Sequence, residues 1–261
     1  MTSQRIPPDA TSPMSNSLRT IGIVFAREFF AYFKTPLAAI FLFVFLALAA
    51  GLTFFATGFF TRGQADLASF FTWHPWLFLI LMPAIGMRLW AEERRSGTIE
   101  LLMTLPVRTW ELVVAKFLAG WAFVAVALIC TFPMWWTVNY LGAPDNGVIF
   151  ASYVGSWLMA GAFLALAACI SAMTKNQVIA FIVAGLIGFL LVMAGFDLVL
   201  SAVRGWAPTF VTDAVQSLSF ISHFNRLSRG VIELPTVIFF ISMILLCLWI
   251  NIQVVDLKKA A

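Results

Sequence analysis

Six uncharged runs of at least 21 residues set the limits on what this chain can fold into. They are Thr35 to Thr61 (27 residues), Leu67 to Met87 (21), Phe117 to Pro144 (28), Asn146 to Thr174 (29), Asn176 to Phe196 (21) and Leu234 to Val255 (22). A helix needs roughly 20 apolar residues to cross a hydrocarbon core, so each run is long enough for one passage. The three longest contain the turn residues Gly58, Pro144 and Gly147, and so hold a span plus part of a loop. Composition agrees. Hydrophobic residues make up 62% of the 261 positions and charged residues 11%, against roughly 45–50% and 25% in soluble domains. A soluble fold of this size would lack the polar side chains to cover its surface. Within lipid the backbone must satisfy itself, and these long unbroken apolar runs fit helices rather than the alternating strands of a barrel. The expected fold class is an all-α integral membrane protein with six transmembrane helices.

The spans fall at about Leu37–Thr57, Trp73–Trp90, Leu112–Val138 and Ile149–Met173, then from the turn Thr174–Gln177 to near Asp197, and from Leu234 to Val255. Trp73, Trp76 and Trp90 read as interfacial aromatics around the second, and Pro83 predicts a kink within it. With the N-terminus in the cytoplasm, 12 of the 16 basic residues lie inside; only Arg62, Arg204, Arg226 and Arg229 lie outside. The positive-inside rule selects this topology, with both termini cytoplasmic. The basic residues are scattered rather than striped, so no nucleic-acid surface is expected. Cys130, Cys169 and Cys247 all fall in spans and read as small packing residues.

Residues 1–15 are polar and Pro-rich and read as a disordered cytoplasmic tail. In residues 16–36, Leu18, Ile21, Phe25, Phe29 and Tyr32 recur at helical spacing among Arg19, Arg27, Glu28 and Lys34. This is an amphipathic helix. It either lies in the membrane interface or extends the first span into the cytosol, and the Thr35-Pro36 break favours the former. Residues 37–261 form the six-helix membrane domain.

Catalytic patterns are missing. His74 and His223 belong to no H-E-x-x-H motif, and His74 reads as an interfacial histidine. Gly58-Phe-Phe-Thr-Arg-Gly63 is followed by Gln64 where a phosphate loop needs Lys. The chain is therefore expected to be no enzyme and to bind no cofactor itself.

The most charged loop runs between spans two and three: Ala91-Glu-Glu-Arg-Arg-Ser-Gly-Thr-Ile-Glu-Leu-Leu-Met-Thr-Leu-Pro106. Glu92, Glu93, Arg94 and Arg95 carry span two into water, and Gly97 breaks the helix. Thr98 can cap a new short helix with Ile99, Leu101 and Leu102 on its apolar side and Glu100 among them, and Pro106 stops it. Thr109 would then cap span three, with Glu111 in its first turn. Two turns of helix are unstable alone in water, so lipid headgroups or a protein must cover the apolar side. A generic loop of this charge would only anchor topology.

The pattern E-x-R-x-x-G-T-x-E-L-L-x-T-x-P resembles the coupling helix of ABC-2 type transporter permeases, here at residues 97–106. Arg27-Glu-Phe-Phe-Ala-Tyr-Phe-Lys-Thr-Pro36, Phe70-Phe-Thr-Trp-His-Pro-Trp-Leu-Phe78, Pro83-Ala-Ile-Gly-Met-Arg88 and Asn176-Gln-Val-Ile-Ala-Phe181 are similar to the gliding-motility subgroup of that family. The resemblance implies a permease subunit in the bacterial inner membrane. Its coupling helix would dock on a cytosolic ABC ATPase, with ATP and Mg held by that partner. It also implies a second permease subunit, identical or related, and an auxiliary membrane protein with a large outer domain. Glu92, Glu93, Arg94, Arg95, Gly97, Thr98, Ile99, Glu100, Leu101 and Leu102 would make the ATPase contact.

The outer segment 201–233 contains a 12-residue uncharged stretch, Ala214 to Asn225, too short to cross. It is expected to form short re-entrant helices, with Asp197, Arg226 and Arg229 as candidates for an outer gate; Asp197 reads equally as an interfacial charge. Two other function classes stand beside the permease: an ion-coupled secondary transporter or channel, and a membrane scaffold without transport.

Overall fold

The computed structural model describes residues 13–97, 107–204 and 208–259, and those residues form helices and connecting turns with no strand. An N-terminal helix, α1 (Pro13–Phe33), ends at Lys34, and Thr35 is extended before the next helix. Pro36 opens α2 (Pro36–Gly51), where a missing N–H costs nothing. A π-helical turn, Leu52–Ala56, ends this span. The second passage is segmented into α3 (Ala68–Phe71), α4 (His74–Gly86) and α5 (Arg88–Ser96). The third is α6 (Thr109–Ile129) followed by α7 (Phe132–Leu141). Then come α8 (Asn146–Met173), α9 (Gln177–Met193), three short helices α10 (Asp197–Arg204), α11 (Thr209–Ser217) and α12 (Phe220–Leu227), and the last long helix α13 (Leu234–Lys259).

Helix starts follow local chemistry. Asp145 Oδ1 accepts from Gly147 N and Val148 N to cap α8. Asn176 Oδ1 does the same for α9, and Ser219 caps α12. At α6 the expected cap moves by one residue. Arg108 is the N-cap, Thr109 is already helical, and Glu111 reaches back to the Arg108 N–H at 3.2 Å.

Five helical stretches are long and apolar enough to cross a membrane: Ala38–Ala56, Ala68–Ser96, Thr109–Leu141, Asn146–Met173 and Leu234–Lys258. The expected fifth span is an apolar helix of only 17 residues, α9. Its uncharged run of 21 includes the Asn176 cap and a turn at Ala194–Phe196, where Gly195 packs so closely that a Cβ would meet Ser219 Oγ at 2.1 Å.

The hub is α8, buried along almost its whole length and packed by α4, α5, α6, α9, α12 and α13. Small residues permit this. A Cβ on Gly86 of α4 would sit 2.4 Å from Ala167 Cβ of α8, so the two backbones touch where glycine faces alanine. Trp121 of α6 and Trp157 of α8 stack at 4.0 Å, and each indole N–H donates to the other residue's carbonyl, at 2.8 and 3.3 Å. The apolar side of α1 docks on α6, with Tyr32 stacked on Phe123 at 5.0 Å.

Three sequence expectations are corrected. Trp90 is 1% exposed and belongs to the core, not to an interfacial belt, because α5 turns it inward. His74 is fully buried among Phe45, Phe70, Phe71 and Phe78, with Nδ1 2.7 Å from Ser156 Oγ. Cys130 is exposed, since the chain turns between α6 and α7 there; Cys169 and Cys247 are buried as expected.

Candidate functional site

The described chain stops at Gly97 and resumes at residue 107, so Thr98, Ile99, Glu100, Leu101 and Leu102 lie outside the described residues. Both roots of that loop are described. Gly97 has φ +72°, the left-handed conformation in which glycine ends a helix at no steric cost. The other root is the Arg108–Glu111 start of α6.

Between the roots lies a charged clasp. Lys116, about two turns into α6, is 3% exposed at its side chain. A buried ammonium needs acids, and it has two. Its Nζ donates to Glu93 Oε1 of α5 at 2.5 Å and lies 3.4 Å from Glu28 Oε1 of α1. It also stands over the Trp90 ring at 5.6 Å, a cation–π contact. Arg27 holds Glu28 from the solvent side at 2.6 Å, and Arg88 pairs with Glu92 one turn along α5 at 2.8 Å. A cleft of about 200 Å³ opens among these groups, with Tyr32 and Thr35 on its wall. Burial would raise the Glu28 pKa, but Lys116 and Arg27 together outweigh it and hold the carboxyl below the ordinary glutamate value. Burial beside the Glu28 charge pushes the Tyr32 hydroxyl pKa up, so it stays protonated.

The expected site residues separate on this geometry. Glu93 turns inward to Lys116 rather than standing on a rim, and Glu92 is taken by Arg88. Arg94 is half-buried and Arg95 exposed. Lys116 and Glu28 are the functional candidates that sequence reading missed. The signal was there: a lysine between Ala115 and Phe117, past the first turn of a helix that is otherwise apolar, must find an acid from another element. The charge count treats it only as a topology marker.

A second contact fixes the same end. Ser171 of α8 donates to Met87 O and accepts from Trp90 N and Ala91 N, so α5 is bolted to the hub. Lys258 of α13 donates to Ala172 O and Met173 O at the C-terminal end of α8. The ends of α5, α8 and α13 and the start of α6 therefore gather at the clasp end.

At the opposite end, α12 buries Phe220, Phe224 and Leu227 against the hub and α13. Arg226 and Arg229 stand together at the end of α12, where Arg229 N donates to Arg226 O at 3.2 Å, and Asp197 opens α10. Arg226 pairs with Glu233 at 3.7 Å, while Asp197 and Arg229 are exposed and joined by no ion pair among the described residues.

In sequence, a family described as ABC-2 family transporter protein matches residues 38–255. No curated protein matches the chain. The family match runs from the first residues of α2 to the last turns of α13 and takes in the hub, both roots of the loop and Lys116. With five helices long and apolar enough to cross a membrane, and a family match that runs from α2 to α13, the chain belongs to the ABC-2 transporter family as a multi-pass membrane protein.

Proposed function

We propose that this chain is the membrane half of an ATP-driven transporter, and that the clasp around Lys116 is the lever joining an ATPase contact to the spans. The observation that carries the reading is the anchoring of the loop 98–106 at both roots. One salt-bridged lysine ties α5 to α6 and both to α1. A push on a short helix held between these roots would reach the second and third spans together, rather than being absorbed by a slack loop. Family membership implies a cytosolic ABC ATPase, which would hold ATP and Mg. The short helix at Thr98–Leu105 would offer it Ile99, Leu101 and Leu102, with Glu100, Arg94 and Arg95 at the rim. Within the family, the Arg27–Pro36 and Asn176–Phe181 motifs support a place in the gliding-motility type.

In this reading α9 is a sixth span. It starts beside Lys175 at the clasp end and finishes where Gly195 meets Ser219 and Ser222 at the other end. Seventeen residues suffice for a passage where the bilayer is locally thinned. Six passages return α13 to the basic end, with both termini in the cytoplasm of a bacterial inner membrane. The outer helices α10–α12 then cap the other face as a re-entrant segment. The working assembly has two permease subunits, two ATPase subunits and an outer auxiliary partner, and it exports or extracts a substrate or passes motion to that partner.

The test is Leu101→Asp. A charge placed in an apolar groove costs far more than the loss of a rim pair, which contributes about 0–1 kcal/mol. The variant is expected to insert normally but to lose co-purification with its ATPase, or to lose transport-coupled ATP turnover; Glu100→Gln should be mild. A Leu101→Asp protein that assembles and couples normally overturns the reading.

A further inference from the structure

At the end away from the clasp, a pocket of about 310 Å³ opens between the α2–α3 connection, the start of α8 and the end of α12. That volume is at the lower end of the range for ligand pockets, and matches a molecule of one ring or a short branched chain. Its walls are mostly apolar, from Leu67 and Phe71 on one side and Ile149 and Phe224 on the others.

The charged groups in it are of one sign. Asp66 and Asp145 both line the pocket. Asp66 Oδ1 accepts from Ala68 N at 3.0 Å, and Asp145 Oδ1 from Gly147 N at 2.8 Å and Val148 N at 3.3 Å. Each carboxylate thus spends one oxygen on its own helix start, and neither Oδ2 has a hydrogen bond or ion pair among the described residues. No basic side chain lines the pocket. Arg62, the cation of the same outer connection, is drawn off to Ser69, and Arg226 of α12 is drawn off to Glu233. Two uncompensated negative charges over an apolar floor complement a cation that carries hydrocarbon and donates N–H bonds. A bare divalent ion is the poorer match, since no three His, Cys, Asp or Glu side chains converge among the described residues.

We propose that this pocket binds an organic ammonium group on a small apolar body. The ammonium sits between Asp66 and Asp145 and donates to their free oxygens, and the body rests on Leu67, Phe71, Ile149 and Phe224. The ammonium comes either from a soluble amine or from the amino headgroup of a phospholipid. The site needs no ATPase, so it is separate from the coupling reading.

The test uses the full chain in detergent, titrated with phenethylammonium and with its neutral counterpart 2-phenylethanol. The amine is expected to bind at least about tenfold more tightly, the factor of one charge-assisted hydrogen bond. Asp66→Asn with Asp145→Asn removes both charges yet keeps a capping oxygen at each helix start, so it should fold and lose the preference. Each single substitution, which leaves the other carboxylate untouched, should weaken amine binding several-fold. Equal binding of amine and alcohol, or a preference that survives both substitutions, overturns the proposal. Repeating the titration in nanodiscs identifies the source. Weaker apparent amine binding in phosphatidylethanolamine than in phosphatidylcholine, whose headgroup is also zwitterionic but has no N–H to donate, means that the lipid headgroup competes for the site; equal binding assigns it to a soluble amine.

Discussion

The Ser171 hydroxyl of α8 stands inside the backbone ladder of the second span: it donates to the Met87 carbonyl at 2.8 Å and accepts from the Ala91 amide at 3.0 Å. These are the two groups that would bond to each other in an unbroken helix. Trp90 N shares the same oxygen at 3.2 Å, so the hydroxyl uses its one proton and both lone pairs. The insertion divides α4 from α5 at Met87 and sets the direction in which α5 leaves the hub toward the loop at 98–106.

Ser171→Ala should therefore act on α5 rather than on the hub. Two amides and a carbonyl lose their partner, at a cost of about 1–3 kcal/mol for each group that stays unsatisfied in the interior. Hydrogen exchange at Trp90 and Ala91 should rise while exchange in the middle of α8 stays slow. Unchanged protection at those two amides would mean that the break in α4–α5 does not depend on the hydroxyl.

Gly86→Ala tests the closest helix contact. The added Cβ would lie 2.4 Å from Ala167 Cβ and 3.2 Å from the Ala167 backbone carbon, and neither can swing aside. α4 and α8 must separate, which by analogy with overpacked cores costs about 1–3 kcal/mol. A fall in thermal midpoint of the detergent-purified protein checks it. Gly22→Ala inside α1, where nothing lies within 4 Å, is the control and should not lower the midpoint, since alanine is the better helix former.

Lys116→Met removes the cation from both Glu93 and Glu28 and leaves those carboxylates facing each other's element. The expected loss is about 1.5–3 kcal/mol, the range for hydrogen bonds to charged groups. Proteolysis should become faster at Lys34–Pro36, where α1 is no longer held, and ATP turnover in the assembled transporter should uncouple from transport. Lys116→Arg, which keeps the charge, should restore most of both.

Glu28 makes the same clasp sensitive to acid. Its folded pKa lies below the ordinary 4.5, so its contribution is complete above that value and is lost as pH falls through the lowered folded value. Protection of α1 amides should hold at neutral pH and drop in acid. Glu28→Gln should be less protected at neutral pH and show a smaller acid step. An acid step of unchanged size in that variant would assign the titration to another group.

Much of this protein is settled by local chemistry. Long apolar runs without charge can only be helices in lipid, because no water is present to take up an unpaired backbone group. Helix ends follow from single residues near the break: Pro36, Gly97, Asp145 and Asn176 act within a turn of where they stand, so their effect can be read without knowing the fold. The apolar face of α1 is legible for the same reason, since its period of 3.6 is a property of the sequence. What α1 packs on, what Lys116 pairs with, and why His74 and Trp90 are buried depend on which elements become neighbours. Glu28 and Lys116 are 88 positions apart, and Met87 and Ser171 are 84 apart. Nothing near either member of these pairs encodes the other, because a side chain's partner across a helix interface is chosen by how small residues such as Gly86 and Gly161 let the helices approach. That choice is made only when the whole bundle closes around α8.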